Sequence, residues 1–207
     1  FNALQTGVKK KALQAVVTKT GCVGICHQEP VVDISIPDKG RFIYGQVTPD
    51  AVSLLLDALK KDVVPDGALF RLSQEESLID GSIKRYPTKQ GKSKKQAVPT
   101  LQAIPFYKKQ YRIALRNCGL IDPENIMEYI AQGGYSTLAN IIAKKTPQQV
   151  ISGIKSAGLR GRGGAGFLTG FKWSICRNNA ADQKYVICNA DEGDPGAYMD
   201  RSILEGD

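Results

Sequence analysis

The chain has 207 residues, of which 42% are hydrophobic and 23% charged, so it can bury a substantial core in one or two domains. It contains no run of 18 apolar residues and no signal-peptide pattern, which excludes a membrane span. Its five cysteines suit a reduced, cytoplasmic setting better than a disulfide scaffold. Because it begins at Phe1 and ends at Asp207 within an acidic stretch, we expect an internal piece of a longer polypeptide.

Charge is distributed unevenly along the chain. The formal net charge is +8, yet residues 81–121 alone hold ten Lys and Arg and no acidic residue, whereas residues 189–207 hold six acids and one Arg. A basic block of this kind indicates a solvated face, a strip that docks on another subunit, or a nucleic-acid surface. We do not expect a nucleic-acid partner, but a basic nucleic-acid-binding protein or a scaffold protein stays open as an alternative of another class.

Residues 1–72 read as a small α/β unit. Alternating β-branched residues over 31–36 and a second run over 41–45, joined by a Pro-Asp-Lys-Gly turn, predict a hairpin. Thr48 followed by Pro49 predicts a helix start, with apolar residues at helical spacing after it. A further strand is predicted over 68–72.

Residues 73–105 lack periodicity and are predicted to be a basic linker or extended arm. Helical patterns then dominate from 106 to 158. One helix is predicted to start at Asp122-Pro123 and to stop at Gly133, and Thr146-Pro-Gln-Gln149 is a capping box that starts another, which Gly158 ends.

A glycine-rich segment follows the capped helix. Five glycines fall within residues 158–166, more than a turn needs, and they would let a ligand approach the backbone closely. Arg160 and Arg162 indicate that this ligand is anionic. Residues 161–166 match G-x-G-x-x-G, a weak motif here because a helix rather than a strand precedes it.

A second polar segment follows a predicted strand. Residues 184–188 read as a short buried strand that runs into Asn189-Ala-Asp-Glu-Gly-Asp-Pro-Gly196. Polar groups just past the carboxyl end of a strand are where open α/β sheets place ligands. An acidic surface loop would explain this segment alone, but the pair of segments is more specific.

Both motifs resemble one known family. Gly158-Leu-Arg-Gly-Arg-Gly-Gly-Ala-Gly-Phe-Leu-Thr-Gly-Phe-Lys-Trp173 and Cys188-Asn-Ala-Asp-Glu-Gly-Asp-Pro-Gly-Ala-Tyr-Met-Asp-Arg201 are similar to the FMN- and NADH-binding flavoprotein subunit of respiratory complex I and its relatives. The family usually has Pro where Leu168 stands. The resemblance covers roughly residues 105–207.

The resemblance implies a fold, a reaction and a site. The fold is the N-terminal part of a complex I-type FMN-binding α/β domain over 106–207, and the reaction is hydride exchange between NAD(P)(H) and FMN followed by single-electron transfer to iron–sulfur clusters. By the same resemblance, a [4Fe–4S] cluster and the FMN phosphate contacts would lie beyond residue 207. The residues implied to bind the cofactors are Gly161, Arg162, Gly163, Gly164, Phe167, Lys172, Asn189, Asp191, Glu192 and Asp194. No side chain is implied to act as an acid or base.

Details of both motifs indicate a sub-type. Asp194 and residues 197–207 resemble the flavin (beta) subunit of NAD(P)-linked, electron-bifurcating iron hydrogenases, and so do residues 104–110 and 116–123. Complex I-type NADH dehydrogenase and bifurcating formate dehydrogenase subunits stay open as alternatives. The implied partners are the iron–sulfur and catalytic subunits of the same complex, with ferredoxin as an electron partner.

The N-terminal unit resembles part of a thioredoxin-like [2Fe–2S] ferredoxin. Thr20-Gly-Cys22-Val-Gly-Ile-Cys26 is similar to the second half of its cluster motif, which implies Cys22 and Cys26 as iron ligands. Such a cluster needs four thiolates, so the unit is incomplete in this sequence. Cys118, Cys176 and Cys188 are expected to be structural, and the single histidine, His27, to be a surface residue.

Overall fold

A computed structural model of the chain describes residues 1–76, 80–86 and 98–206. These residues form two compact units, the first built from Phe1–Gln132 with Glu192–Asp207 and the second from Gly133–Asp191. The domain limits predicted at residues 72 and 105 follow the residue pattern rather than compactness, and they stay predictions.

The described part of the chain combines eight helices with five short strands. In chain order these are α1 (Asn2–Lys11), β1 (Val32–Ile36), β2 (Gly40–Tyr44), α2 (Pro49–Lys60), β3 (Phe70–Leu72), β4 (Gln74–Glu76), β5 (Ile83–Arg85), α3 (Pro105–Lys108), α4 (Ile126–Ala131), α5 (Ser136–Lys144), α6 (Pro147–Ser156), α7 (Thr169–Asn178) and α8 (Met199–Gly206). No helix within the described ranges combines the length and the apolar character that a membrane crossing requires.

The first unit is organised around an antiparallel sheet in the order β1-β2-β3. The predicted hairpin is confirmed, with Val32 opposite Tyr44 and Ile36 opposite Gly40. The strand predicted over 68–72 is also confirmed, as β3. Thr48 caps α2 as predicted, because its side chain accepts a hydrogen bond from the Ala51 backbone N–H at 3.3 Å.

The central strand β2 is buried on both faces. Phe42 and Tyr44 pack with residues of α1 and α2 in one apolar cluster. Ile43, which points to the opposite face of the sheet, packs with Ile25, Phe70 and Tyr107 in a second cluster. Ile25 of this second cluster lies between Cys22 and Cys26 in sequence. Its packing against the sheet therefore positions the loop that carries both cysteines.

The basic linker is described only in part. The strands β4 and β5 pair within it, and Lys84 forms an exposed ion pair with Asp38 at 3.2 Å. Residues 77–79 and 87–97 lie outside the described ranges, and with them much of the basic block. The interpretation of this block as a strip that docks on another subunit therefore stays a prediction.

Side-chain caps start two of the remaining helices, α4 and α6. The capping box is confirmed: the Thr146 N–H donates to Gln149 Oε1 at 2.9 Å, and the Gln149 N–H donates to Thr146 Oγ1 at 3.3 Å. The helix start predicted at Asp122-Pro123 is three residues too early, because α4 begins at Ile126. The Asp122 carboxylate accepts from the Glu124 N–H in a local turn, and the Asn125 side chain caps α4 instead.

The strand predicted over 184–188 is wrong. Within residues 98–206 this segment has no strand partner, and the side chains of Tyr185, Val186 and Ile187 are largely exposed. A strand requires a neighbouring ladder for its backbone N–H and C=O groups, and no described residue supplies one here. The second unit is therefore helical, with the isolated bridge between Arg160 and Leu168 as its only described β pairing.

Candidate functional site

The glycine-rich segment forms a closed loop between α6 and α7. Its base is held by two backbone hydrogen bonds, from the Thr169 N–H to the Leu159 carbonyl at 3.0 Å and from the Gly161 N–H to the Phe167 carbonyl at 2.8 Å. Gly158 takes a positive φ of 64° as the chain leaves α6. The tip, residues 162–166, projects from this base.

The tip is open on the side where side chains would stand. A Cβ built on Gly163, Gly164 or Gly166 meets no atom of the described chain within 4 Å. Gly164 (φ 94°) and Gly166 (φ 62°) need glycine for their backbone conformation. Gly163 has neither a positive φ nor a neighbour that would exclude a side chain, so the fold does not account for the glycine there.

The two arginines of the loop brace it and leave positive charge at its surface. Arg160 Nη1 donates to the Gly166 carbonyl at 3.0 Å, and Arg162 Nη1 donates to the Arg160 carbonyl at 2.9 Å. Both side chains remain exposed, and Lys172 on α7 is exposed in the same unit. Because a guanidinium carries five N–H donors, each arginine keeps donors for an anionic ligand.

Phe167 stands at the end of the loop with half of its surface exposed. Its ring is tilted against Phe171, with ring centroids 5.9 Å apart, and 52% of the residue is accessible. A cleft of about 300 Å³ between α6 and α7 is lined by Leu168 and Phe171, whereas Phe167 does not line it. Gly170 packs closely against α6, because a Cβ there would lie 2.7 Å from the Lys155 backbone nitrogen. Gly170 is thus a packing residue, whereas Phe167 is free to contact a planar ligand.

The acidic segment is divided between the two units. Asn189 and Asp191 belong to the second unit, where the Asn189 side chain accepts from the Asp191 N–H at 3.1 Å. Glu192 and Asp194 belong to the first. The Asp194 carbonyl accepts from the Ala197 N–H at 3.0 Å in the turn that leads to α8.

Glu192 has a structural role that the sequence did not reveal. Its carboxylate accepts from the backbone N–H groups of Asp200 at 2.7 Å and Arg201 at 3.2 Å, so it caps α8. Desolvation alone would raise the pKa of Glu192, but these backbone donors outweigh it and lower the pKa. Standard capping spacings fail to find this cap, because Glu192 precedes the helix by seven residues.

A second site surrounds the cysteine pair. Cys22 and Cys26 line a cavity of about 710 Å³ in the first unit, and their Sγ atoms lie 3.4 Å apart. The Gly24 N–H donates to Cys22 Sγ at 3.3 Å. A carboxylate oxygen of Glu29 joins the two sulfurs, all three atoms lying within 4.8 Å of one another. Burial raises the pKa of the Cys22 thiol to about 11, with Cys26 and Glu29 contributing.

These residues fit an iron–sulfur cluster only in part. The short Sγ–Sγ distance suits two thiolates on one metal ion, but a [2Fe–2S] cluster needs four thiolates. Cys118 is buried with its Sγ 3.8 Å from the Ser202 carbonyl, and Cys176 and Cys188 lie in the second unit. Among the described residues no third thiol joins the pair, and the third group present is the Glu29 carboxylate, which the sequence reasoning missed.

Comparisons with known proteins match both motif regions. Residues 154–207 match the Nuo51 FMN-binding domain of the Complex1_51K family. The NADP-reducing hydrogenase subunit HndC of Solidesulfovibrio fructosivorans is 62% identical over 107 residues, which cover 52% of this chain and 21% of that protein. An NADH-quinone oxidoreductase subunit of Rhizobium meliloti is 45% identical over 95 residues, covering 46% of this chain and 23% of that protein.

A second hydrogenase subunit shows the same likeness. The NAD-reducing hydrogenase HoxS subunit alpha of Cupriavidus necator is 62% identical over 58 residues, covering 28% of this chain and 10% of that protein. The matched region spans less than a quarter of the length of each of these three relatives. The predicted resemblance is confirmed: the chain resembles the FMN-binding flavoprotein subunits of complex I and of NAD(P)-linked hydrogenases.

Proposed function

We propose that the chain is part of the flavoprotein subunit of a multi-subunit oxidoreductase, in which it binds FMN and NAD(P)(H) on the glycine-rich loop. The observation that carries this proposal is Gly163. The loop leaves open space at this position and the backbone does not require glycine there, so a ligand in contact with the tip explains the residue. The match of residues 154–207 to an FMN-binding domain identifies the class of ligand.

The reaction follows from the bound groups rather than from a side chain. When bound, FMN supplies the chemistry by taking a hydride from the nicotinamide nucleotide and giving up its electrons singly. The residues of this chain bind and orient. The backbone from Gly161 to Gly164 approaches the flavin, Arg162 and Lys172 supply positive charge, and Phe167 stacks on the adenine of the nucleotide.

The acidic segment enters the proposal through the family resemblance. Asn189 and Asp191 offer acceptors and donors to the polar edge of the flavin, and Asp194 reaches toward the nucleotide. The Glu192 carboxylate accepts hydrogen bonds from backbone N–H groups at the start of α8. We therefore propose that Glu192 holds the turn that contains Asp194.

The N-terminal unit is proposed to be thioredoxin-like. The proposal includes an iron–sulfur cluster on Cys22 and Cys26. Because such a cluster needs four thiolates, two further thiolates must reach the same cavity. We likewise propose that the complex is an electron-bifurcating hydrogenase in the cytoplasm. Its proposed partners are the iron–sulfur and catalytic subunits, with ferredoxin as an electron partner. The likeness to hydrogenase subunits supports the hydrogenase assignment, and the likeness to complex I subunits supports the general class.

A glycine substitution tests the proposal most cleanly at residue 163. In the described chain a Cβ on Gly163 meets no atom within 4 Å, and Gly163 does not have a positive φ, so Gly163→Val should fold normally and purify without FMN. Gly164→Val is less informative, because its φ of 94° adds backbone strain to any contact with the ligand. Gly153→Ala on α6, where a Cβ also meets nothing, serves as the control and should keep its flavin. Full flavin content in Gly163→Val would refute the placement.

A further inference from the structure

A segment that is both basic and aromatic begins within α3. It is called here the basic-aromatic segment and consists of Phe106, Lys108, Lys109, Tyr111, Ile113 and Arg116. Its apolar side chains are open to solvent, with 51% of Phe106, 89% of Tyr111 and 71% of Ile113 accessible. Its three cationic residues are exposed as well. Aromatic residues and arginine are enriched where proteins bind one another, so the composition is that of an interface.

The backbone beneath these side chains is held at two points. Tyr107 is buried against Phe70, with ring centroids 5.4 Å apart, and its hydroxyl donates to the Val23 carbonyl at 3.1 Å. Further along, Arg112 Nη1 donates to the Cys118 carbonyl at 3.4 Å. The exposed side chains therefore project from a backbone that the first unit fixes in place.

The positive charge of the segment finds no ion-pair partner in the part of the chain that the structure describes. Lys108, Lys109 and Arg116 form no salt bridge with a described residue. The sequence also offers no acidic residue between positions 81 and 121. Exposed charges of one sign attract a partner of the opposite sign and speed its association. The segment therefore fits an acidic partner.

The segment also lies against the loop that carries the two cysteines. A Cβ built on Gly24, which falls between Cys22 and Cys26 in sequence, would lie 3.4 Å from two ring carbons of Phe106. The Gly24 N–H in turn donates to Cys22 Sγ at 3.3 Å. A protein that covers Phe106 is therefore separated from the Cys22 sulfur by one aromatic ring and one stretch of backbone. A partner that exchanges electrons with a group held by these sulfurs needs such an approach.

We propose that the basic-aromatic segment is the docking site of an acidic ferredoxin. This inference rests on the proposed function, which includes an iron–sulfur cluster on Cys22 and Cys26, and it adds the surface on which the electron partner binds. The three cations face carboxylates of the ferredoxin, and Phe106, Tyr111 and Ile113 form the apolar contact. In the docked pair one electron passes between the two clusters, so one is oxidised as the other is reduced.

Binding of a purified acidic ferredoxin to the full-length protein tests the proposal. Calorimetry gives Kd at about 0.1 M and about 1 M salt, between which the Debye length falls from about 10 Å to about 3 Å. Combined Lys108→Glu, Lys109→Glu and Arg116→Glu substitutions should raise Kd at least about tenfold at the lower salt, and the difference should shrink at the higher salt. Tyr111→Ala should raise Kd about fivefold or more at both, and its exposure keeps the fold intact if the triple variant is unstable.

A matched control makes the same change of charge elsewhere in the first unit. Lys9, Lys10 and Lys60 are exposed on α1 and α2. Their combined replacement by Glu should change Kd far less than the triple variant of the segment, because the charges of α1 and α2 do not face the ferredoxin.

Several results would overturn the docking site. They are a parent that does not bind the ferredoxin at about 0.1 M salt, parental Kd in the triple variant or in Tyr111→Ala, and equal weakening by the control. A parent that binds a short RNA duplex more tightly than the ferredoxin through the same three cations also overturns it. FMN content, iron content and NADH oxidation with a viologen acceptor are measured in parallel and should be equal in all four proteins. A parent without FMN contradicts the proposed function, whereas a flavin-containing parent with unaffected variants contradicts the docking site alone.

Discussion

Gly170→Ala should destabilise the second unit although it adds only one methyl group. The new Cβ would lie 2.6 Å from Lys155 Cγ, 2.7 Å from its backbone nitrogen and 3.0 Å from its Cα. Ordinary van der Waals contact begins near 3.4 Å, and two of the three atoms belong to the backbone of α6. A rotation of the Lys155 side chain therefore cannot relieve the overlap, and α6 and α7 must move apart.

The magnitude follows from two opposing effects. Overpacking of this kind costs typically about 1–3 kcal/mol. Replacing glycine by alanine in a helix returns at most about 1 kcal/mol through helix propensity, and less at the second residue of α7. The net loss should be about 1–2 kcal/mol. For a unit of roughly 60 residues this corresponds to a decrease in Tm of about 5–15 °C.

Tryptophan fluorescence is the natural assay, because the chain's single tryptophan, Trp173, lies on α7. Gly153→Ala provides the opposite control. It lies on α6 with nothing within 4 Å of the added Cβ, so helix propensity alone should raise stability by about 0.5–1 kcal/mol. A Gly170→Ala variant as stable as the parent, or shifted upward like Gly153→Ala, would refute the packing described for α6 and α7.

Two further outcomes concern the proposed site and its support. Phe167→Ala should raise the NADH KM about 5- to 150-fold with FMN still bound, since stacking on an aromatic ring contributes roughly 1–3 kcal/mol. An unchanged KM would show that the ring packs against Phe171 and does not contact the nucleotide. Glu192, whose pKa is lowered in the folded state, should stabilise the fold above its unfolded pKa of about 4.5 and lose this contribution as pH falls through the lower folded value. In urea unfolding, the stability gap between parent and Glu192→Gln should therefore narrow from about pH 6 to pH 3, and a pH-independent gap contradicts the cap.

Features that depend on neighbours in sequence could be predicted from the sequence. The Thr48 cap of α2 and the Thr146 capping box each join residues three positions apart, and the hairpin of β1 and β2 joins consecutive strands across a short turn. Local residue patterns are therefore enough to predict all three. The glycine loop belongs to the same group in its conformation, because Gly158, Gly164 and Gly166 take positive φ values that glycine favours; its contact with a ligand stays a prediction.

Features that depend on distant residues could not be predicted in this way. The stretch at 184–188 has the composition of a strand, but a strand exists only where another strand accepts its hydrogen bonds. The Glu192 cap spans eight residues to Asp200, outside any capping motif. Glu29 is an intermediate case: a carboxylate three residues after Cys26 is visible in the sequence, but only the 3₁₀ turn shows that it meets the sulfurs.

The flavin content of the purified full-length protein tests the central claim most directly. The proposal predicts about one FMN per chain, seen in the visible spectrum and released on denaturation, with bleaching of the flavin band when NADH is added without oxygen. It also predicts that Gly163→Val lacks the flavin band even when its Trp173 fluorescence shows that the protein is folded. A colourless parent protein, or a flavin that NADH leaves oxidised, would contradict the assignment of the glycine-rich loop.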